Sequence, residues 1–263
     1  MVSSPVRAAA RILGYALLTL PLMPVQALFV ALRTSWAHRL PHIYHRLCCR
    51  IFGIDLVIVG EIARTRPTLF VANHISYFDI EVLSAAVETC FVAKREIAGW
   101  PFFGWLARLQ QTVFVERRAR SVAGERDDLA RRLEARANVV LFAEGTSSDG
   151  NRLLPFKSAL FSVAERTIGG APLSVQPVTV AYTRLDGMPL GRPARPFIAW
   201  YGDMELAPHL WFALGLGRIT ATVQFHPPVT LAAFGSRKAL AAHCQETIGT
   251  ALEAANFGRT LPV

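Results

Sequence analysis

Residues 69–79, LFVANHISYFD, combine the sequence signals of a strand, a turn and a helix. The stretch begins with an uninterrupted apolar run, which is typical of a strand covered on both faces of a sheet. Ser76 is typical of a helix N-cap, and Asp79 three residues later suits the partner position of a capping box. The stretch therefore predicts a strand, a short turn that holds His74, and a helix. In open α/β sheets, sites lie at such turns, beyond the carboxyl ends of the strands.

Short apolar runs and helical patterns alternate along the rest of the chain. The predicted strands are 69–72, 90–93, 112–115, 139–143, 174–181, 197–201 and 220–225. The predicted helices are 78–87, 102–109, 121–137, 157–167 and 237–254. This alternation predicts an α/β fold with a largely parallel or mixed sheet flanked by helices. The predicted domains are an N-terminal membrane-anchoring helical segment, residues 1–55, and an α/β domain, residues 56–263.

Composition and charge separate this chain from an ordinary soluble protein. Hydrophobic residues make up 52% of the chain and charged residues 18%, with a net charge of +9. Soluble domains average about 45–50% apolar and about 25% charged, and a disordered chain is poorer in apolar residues still. The first 50 residues contain no acidic residue and six arginines, Arg7, Arg11, Arg33, Arg39, Arg46 and Arg50. This pattern predicts contact with an anionic membrane leaflet, an anionic substrate, or both.

A charge-free apolar segment, residues 12–32, follows the first two arginines. Crossing a bilayer takes about 20 such residues. We expect Pro21 and Pro24 to break the segment, which leaves a re-entrant or interfacial hairpin as an alternative to a spanning helix. A secretory signal peptide and a buried soluble helix are further alternatives. Because arginine is more abundant after the segment than before it, we expect the following domain on the cytoplasmic face of the inner membrane.

Cysteine spacing and known cofactor motifs give no support for metal or nucleotide chemistry. Cys48, Cys49, Cys90 and Cys244 fit neither a zinc site nor a disulfide framework. The sequence contains no phosphate-binding loop, dinucleotide fingerprint or nucleophile elbow. We therefore expect reduced thiols, no metal and no bound cofactor.

Three polar blocks follow predicted strands. In the first, a turn that bends His74 back over the helix brings Asp79 to its ring, where the carboxylate fixes the tautomer and stabilises the imidazolium of a general base. The alternative is a capping box beside an incidental histidine. In the second, Arg117 and Arg118 follow the strand 112–115, where a planar guanidinium can bind a phosphate. Here the alternative is the start of a solvated charged helix.

The third block is the polar loop EGTSSDG, residues 144–150, with Lys157 shortly after it. Backbone N–H groups and hydroxyls in such a loop can hold an anion or a hydroxylated substrate. The alternative is an ordinary polar turn.

The order of these blocks resembles the glycerolipid acyltransferase family. Residues 73–79 match its first motif, N-H-x4-D, and residues 111–117 resemble its second, G-x-[IV]-F-[IV]-x-R. Residues 142–148 resemble its third motif, F-P-E-G-T-R-S. Residues 175–180 resemble its fourth, an apolar strand around a proline.

Three positions depart from the pattern of the family. Gln111 stands at a glycine position, Ala143 replaces a proline, and Ser147 replaces an arginine that the resemblance implies is a ligand of the acceptor phosphate. The variant loop is similar to a branch that includes lyso-ornithine lipid acyltransferases. Arg152 or Lys157 are candidates to supply the positive charge missing at Ser147.

The resemblance implies a mechanism and an acyl donor. His74 would act as the general base and Asp79 would orient it. The donor would be a thioester, on acyl carrier protein or coenzyme A. Lys94 and Arg117 would bind the headgroup of the acceptor.

The resemblance also implies how the rest of the site is built. Glu144, Gly145 and Thr146 would shape the acceptor pocket, to which Ser147 and Lys157 also belong. The aromatic stretch 100–105 would line the acyl path or form ordinary core.

These observations predict a membrane-associated O-acyltransferase that acts on a lyso-lipid. The leading acceptor is 1-acyl-sn-glycerol-3-phosphate, and lyso-ornithine lipid is the alternative. A non-catalytic, basic, membrane-peripheral lipid-binding protein is a second alternative, based on the three departures. Nucleic-acid binding is not expected, because the positive charge is concentrated beside an apolar segment and no nucleic-acid motif is present.

Overall fold

A computed structural model describes residues 3–115, 129 and 131–259. Among these residues a mixed sheet forms the centre of the fold, with the strand order β1-β10-β8-β2-β5-β3-β4 and with β9 and β11 paired to β8. A separate two-stranded ribbon joins β6 to β7. The strands are β1 (Ile54–Val59), β2 (Thr68–Ala72), β3 (Cys90–Lys94), β4 (Val113–Val115), β5 (Val139–Phe142), β6 (Thr167–Ile168), β7 (Ala171–Pro172), β8 (Ser174–Leu185), β9 (Met188–Pro189), β10 (Ile219–Phe225) and β11 (Val229–Thr230).

Strands β8, β2, β5, β3 and β4 run parallel, whereas β10 runs antiparallel to β8. Every residue of β2 is buried, as its uninterrupted apolar run predicts. The carboxyl ends of β2, β5 and β3 therefore meet at one edge of the sheet. The mixed sheet flanked by helices confirms the predicted fold class.

Six α-helices cover the two faces of the sheet in the described part of the chain. They are α1 (Pro5–Ala31), α2 (Trp36–Phe52), α3 (Phe78–Ala86), α4 (Phe103–Leu109), α5 (Leu206–Leu214) and α6 (Arg237–Asn256). Residues 131–134 are also helical. Short 3-10 helices occupy Arg95–Gly99, Ser158–Glu165, Arg195–Phe197 and Leu231–Ala233. One hydrophobic core lies between the sheet and α1, α2, α3 and α5, and the other lies under α6.

Helices α1 and α2 form an N-terminal hairpin. The expected break at Pro21 and Pro24 is wrong, because α1 continues through both prolines and the chain turns only after Ala31. Both prolines lie on the exposed side of α1. The carbonyls that they leave without a helical partner belong to Leu17 and Leu20, which are also exposed residues.

Both ends of α1 are attached to the rest of the protein. Near its start, the Arg11 guanidinium donates to the carbonyls of Leu214, Leu216 and Gly217 at 2.8–3.1 Å, which are free because α5 ends there. Near its end, Gln26 Nε2 donates to the carbonyl of Leu109 at 2.9 Å. Helix α1 therefore lies along the domain rather than projecting from it. It is long and apolar enough to cross a membrane, and the only such helix among the described residues.

One predicted strand is wrong, one predicted helix is of the 3-10 type, and another helix cannot be compared. Residues 197–201 do not form a strand, because Pro193 and Pro196 favour a tight turn and the Trp200 N–H donates to Ile75 instead of to a sheet neighbour. The predicted helix 157–167 is a 3-10 helix over Ser158–Glu165, and Thr167 belongs to β6. Most of the predicted helix 121–137 lies outside the described residues. Strand β1 and helix α5 were not predicted.

Replacing Arg11 by alanine should destabilise the fold, because three carbonyls at the end of α5 lose a charged donor. We expect the free energy of unfolding to fall by about 1.5–3 kcal/mol in denaturant titrations of the detergent-solubilised protein. The control is Arg46→Ala, which removes an exposed arginine from α2. Equal stability of the two variants would contradict the proposed role of Arg11.

Candidate active site

The turn between β2 and α3 carries His74 and is fixed to β8 by Asn73. The Asn73 side chain accepts from the N–H of Val180 at 2.8 Å and donates to its carbonyl at 2.9 Å. Asn73 is fully buried, and its amide serves a backbone donor and acceptor that would otherwise lack partners. This pair of bonds explains why the turn needs an asparagine at its first position.

The Asp79 carboxylate is the centre of the candidate site and is fully buried. Its Oδ2 accepts from His74 Nδ1 at 2.7 Å and from the N–H groups of Ile75 and Ser76 at 2.6 and 3.0 Å. Its Oδ1 accepts from the Tyr182 hydroxyl at 2.8 Å. The structure thus confirms the predicted contact between Asp79 and the His74 ring. Because Nδ1 donates to a carboxylate, Nε2 is left as the basic nitrogen.

Ser76 does not have the predicted role of helix N-cap. Its hydroxyl is buried and has no hydrogen-bond partner, and α3 begins after Tyr77 without a side-chain cap. Asp79 instead accepts from the backbone at the start of the helix. One carboxylate therefore accepts hydrogen bonds both from the backbone before α3 and from the His74 ring, which is why the motif needs an acid at this position.

The ring of His74 stacks on Phe142, with 4.0 Å between ring centroids and 15° between planes. This contact holds one face of the imidazole, while Asp79 holds its Nδ1 edge. The side chain keeps 22% of its surface exposed. The histidine is therefore fixed in orientation but still accessible at Nε2.

Glu144 connects the polar loop to the histidine turn. Its Oε1 accepts from the His74 N–H at 2.7 Å, and its Oε2 accepts from the Leu154 N–H at 2.8 Å. The side chain is buried, and burial raises the pKa of Glu144 to about 7. Both oxygens accept from backbone N–H groups, so Glu144 holds the polar loop against the turn that carries His74.

The loop after Glu144 lies beside two further predicted residues. Gly145 has φ +68°, and a Cβ added to it would lie 2.8 Å from Lys157 Nζ, so the ammonium group sits directly over this glycine. The Ser147 hydroxyl donates to the Trp200 carbonyl, whereas Thr146 is exposed. A larger residue at position 145 would displace the lysine.

Lys94 lies at the carboxyl end of β3, on the same edge of the sheet as His74. Strand β5 separates β3 from β2, so about 10 Å separates the two strands. Lys94 Nζ is 3.8 Å from Glu96 Oε1, and its side chain is part-exposed. Arg117 and Arg118 lie outside the described residues.

A cavity of about 490 Å³ extends from His74 between the α1–α2 hairpin and helices α3 and α4. Its lining is mostly apolar and includes Leu20, Met23, Pro41, Phe78, Phe91, Ile97, Leu106, Trp200 and Leu210. Trp100, Phe102 and Phe103 of the predicted aromatic stretch also line it. Trp105 points away and is 64% exposed.

A second histidine–carboxylate pair lies in the wall of the cavity. His45 Nδ1 is hydrogen-bonded to Glu81, and His45 Nε2 donates to Gln110 Oε1 at 3.1 Å. The amide orientation of Gln110 follows from its Nε2, which donates to the Thr89 carbonyl at 3.0 Å. This pair joins α2 to α3. Sequence reasoning missed it because its members are distant in sequence and match no motif.

Sequence reasoning also missed Tyr182, whose only signal was its position at the end of a predicted strand. Within the described residues, no group of three or more His, Cys, Asp and Glu side chains could hold a metal ion.

Comparisons with known proteins agree on one family. An acyltransferase family model matches residues 56–181. The lyso-ornithine lipid O-acyltransferase of Brucella abortus is 47% identical, over 93% of this chain and 93% of its own length. The corresponding enzyme of Rhizobium meliloti is 43% identical, over 84% and 77%. The 1-acyl-sn-glycerol-3-phosphate acyltransferase of Neisseria gonorrhoeae is 33% identical, over 72% of each chain.

The fold is also similar to a solved structure. The crystal structure of the 1-acyl-sn-glycerophosphate acyltransferase of Thermotoga maritima superposes with a TM-score of 0.65 at 20% identity, covering 94% of this chain and 95% of that one. At this identity, the likeness concerns the fold alone.

Replacing Tyr182 by phenylalanine should impair catalysis through Asp79, because one carboxylate oxygen loses its donor. We expect kcat to fall about tenfold, the equivalent of one such hydrogen bond, with the KM of the acceptor unchanged. Tyr201→Phe is the matched control, since Tyr201 packs against the same core. A Tyr182→Phe enzyme with full kcat would show that Oδ1 needs no donor.

Proposed function

Because this chain belongs to the acyltransferase family and is therefore an acyltransferase, we propose that it transfers a fatty acyl group from a thioester to the free hydroxyl of a lyso-lipid. The observation that carries the proposal is the His74–Asp79 pair, which presents a basic nitrogen at the end of an apolar cavity. An alkyl hydroxyl is a poor nucleophile and needs such a base.

In the first step, His74 Nε2 takes the proton of the acceptor hydroxyl while its oxygen attacks the thioester carbonyl. Asp79 stabilises the resulting imidazolium, to which it is already hydrogen-bonded. The tetrahedral intermediate then collapses, the carbon–sulfur bond breaks, and the imidazolium returns its proton to the departing thiolate. The products are an ester and a free thiol, and no acyl-enzyme is formed.

The cavity is suited to the acyl chain. Its mostly apolar walls match a hydrocarbon, and its volume lies in the range of about 300–1,000 Å³ that ligand pockets occupy. His74 is among its lining residues, so a chain inside the cavity has its carbonyl end at the base. The donor is acyl carrier protein or coenzyme A charged with a fatty acid; we expect no bound cofactor.

Lyso-ornithine lipid is the acceptor that the comparisons favour over 1-acyl-sn-glycerol-3-phosphate. Relatives with the former name are the more similar and match more of the chain. The serine at position 147 supports the same choice, since the phosphate acceptor is the one for which the resemblance implies an arginine there. Lys94, Arg117 and Lys157 are the proposed headgroup cations, and Gly145 and Thr146 are part of the pocket.

The enzyme is proposed to sit in one leaflet of the inner membrane. Helix α1 is attached to the domain at both ends, so it cannot cross the bilayer while the domain stays on one side. Its outer face exposes Val6, Leu13, Leu17 and Leu28, and the exposed Leu32 follows its last turn. An apolar face of this kind is suited to the acyl layer, with arginines of the hairpin at the headgroups. We place the domain on the cytoplasmic face, where acyl thioesters are made.

The first test offers the purified enzyme labelled acyl carrier protein or acyl-CoA together with each lyso-lipid separately. We expect acyl transfer to lyso-ornithine lipid, and we expect His74→Ala to lose at least about a thousandfold in rate because no base remains. His209→Ala is the control for loss of a part-buried histidine. Full turnover by His74→Ala would exclude the mechanism, and lipid binding without turnover by wild type would favour a non-catalytic lipid-binding protein.

The second test locates the ends of α1 relative to the membrane. Cysteines placed at the exposed polar positions Arg7 and Ser35 should both react with a membrane-impermeant maleimide in inverted vesicles, and neither should react in spheroplasts. The wild type is the control, because its four cysteines are buried. Labelling of either position in spheroplasts would show that α1 spans the bilayer.

A further inference from the structure

We propose that Arg195 binds the anionic group of the acceptor headgroup and supplies the positive charge that Ser147 lacks. The inference rests on the proposed function and adds a specificity-determining residue outside the four motifs. The anion is a carboxylate in lyso-ornithine lipid and a phosphate in 1-acyl-sn-glycerol-3-phosphate.

Arg195 lies directly behind the turn that carries His74. A Cβ added to Gly150 would lie 3.2 Å from Ile75 and 3.7 Å from Arg195 Cβ, so a single glycine separates the two side chains. A few residues after Arg195, the Trp200 N–H donates to the Ile75 carbonyl at 3.0 Å. The 3-10 helix that contains Arg195 is therefore packed onto the catalytic turn.

Neutral groups hold the Arg195 guanidinium in place. Its Nη1 donates to Asn151 Oδ1 at 2.9 Å, and its Nη2 donates to the Asn256 carbonyl at 2.5 Å. Asn256 in turn donates to the Gly150 carbonyl at 3.1 Å. These bonds attach the arginine to the polar loop and to the end of α6 without neutralising its charge.

No carboxylate among the described residues lies within ion-pair distance of Arg195. Asp149 attracts it from farther away, but both Asp149 oxygens accept from Asn151 at 3.0 and 3.2 Å. The Arg195 Nε is buried and has no hydrogen-bond partner. Burial lowers the pKa of Arg195, and the neighbouring Arg192 acts in the same direction. A bound anion would relieve both effects.

The contact of Ser147 explains how a positive charge at position 195 can replace one at position 147. The Ser147 hydroxyl donates to the Trp200 carbonyl, which draws the polar loop toward the segment that carries Arg195. A guanidinium also suits a carboxylate or phosphate better than an ammonium does, because its planar fork can donate twice. Lys94 is part-exposed with Glu96 nearby, and Lys157 is exposed, so neither is held in place as Arg195 is.

The test compares three acceptors: lyso-ornithine lipid, its carboxyl methyl ester and 1-acyl-sn-glycerol-3-phosphate. For Arg195→Gln we expect the KM of an anionic acceptor to rise about tenfold or more, the equivalent of a lost charged hydrogen bond. We expect the KM of the methyl ester and of the thioester donor to stay unchanged. Arg195→Lys should recover part of the loss. The control is Arg192→Gln, which removes an exposed neighbouring cation.

The remaining outcomes decide against the proposal or identify the anion. Equal losses on the free acid and on the methyl ester, or no loss on any of the three acceptors, would overturn it, since a merely structural role does not distinguish the anionic acceptors from the ester. Asn256→Ala, which removes a bond to the loop but keeps the charge, should preserve the discrimination even if it lowers the melting temperature. The acceptor on which Arg195→Gln loses affinity shows whether the bound group is a carboxylate or a phosphate. Absence of turnover by the wild type on every acceptor would instead refute the proposed function.

Discussion

The hydrogen bonds of the buried Asp79 carboxylate position the elements around the candidate site. A carboxylate without water is costly unless donors surround it, and Asp79 has four of them. The donors come from the histidine ring, from the turn before α3, and from Tyr182 on β8. Satisfying one side chain therefore fixes the helix, the turn and the strand relative to one another. The orientation of the His74 ring, the proposed base, is a consequence of the way this charge is buried.

Glu144 is a second buried carboxylate whose oxygens both accept hydrogen bonds, and it lies in the polar loop beside the His74 turn. It binds the backbone of His74 on one side and that of Leu154 on the other, so the polar loop keeps its position relative to the base. Its buried position favours the protonated form more than water does. Arg195 lies in the next layer, attached to the loop through Asn151. The base and the proposed headgroup cation are thus parts of one hydrogen-bonded assembly.

The N-terminal hairpin connects an exposed apolar surface to the cavity at His74. One face of α1 is apolar and exposed, and the other lines the cavity that ends at His74. The contacts of Arg11 and Gln26 keep this helix against the domain. In the proposed membrane setting, a lipid that enters from the leaflet would travel only across the thickness of one helix to reach His74.

Local sequence patterns were sufficient for the central strands, for α3, and for the pairing of His74 with Asp79. Uninterrupted apolar runs identify strands buried on both faces, and an acid five residues after a histidine can reach it across one turn.

The patterns failed where long-range contacts decide the local structure. Pro21 and Pro24 remain inside a helix because packing holds both of its ends, and residues 197–201 form no strand because Trp200 binds the catalytic turn. Tyr182, the His45–Glu81 pair and Arg195 have partners far away in sequence. Only the folded chain brings such groups together, because their roles depend on burial and on which neighbours remove them from water.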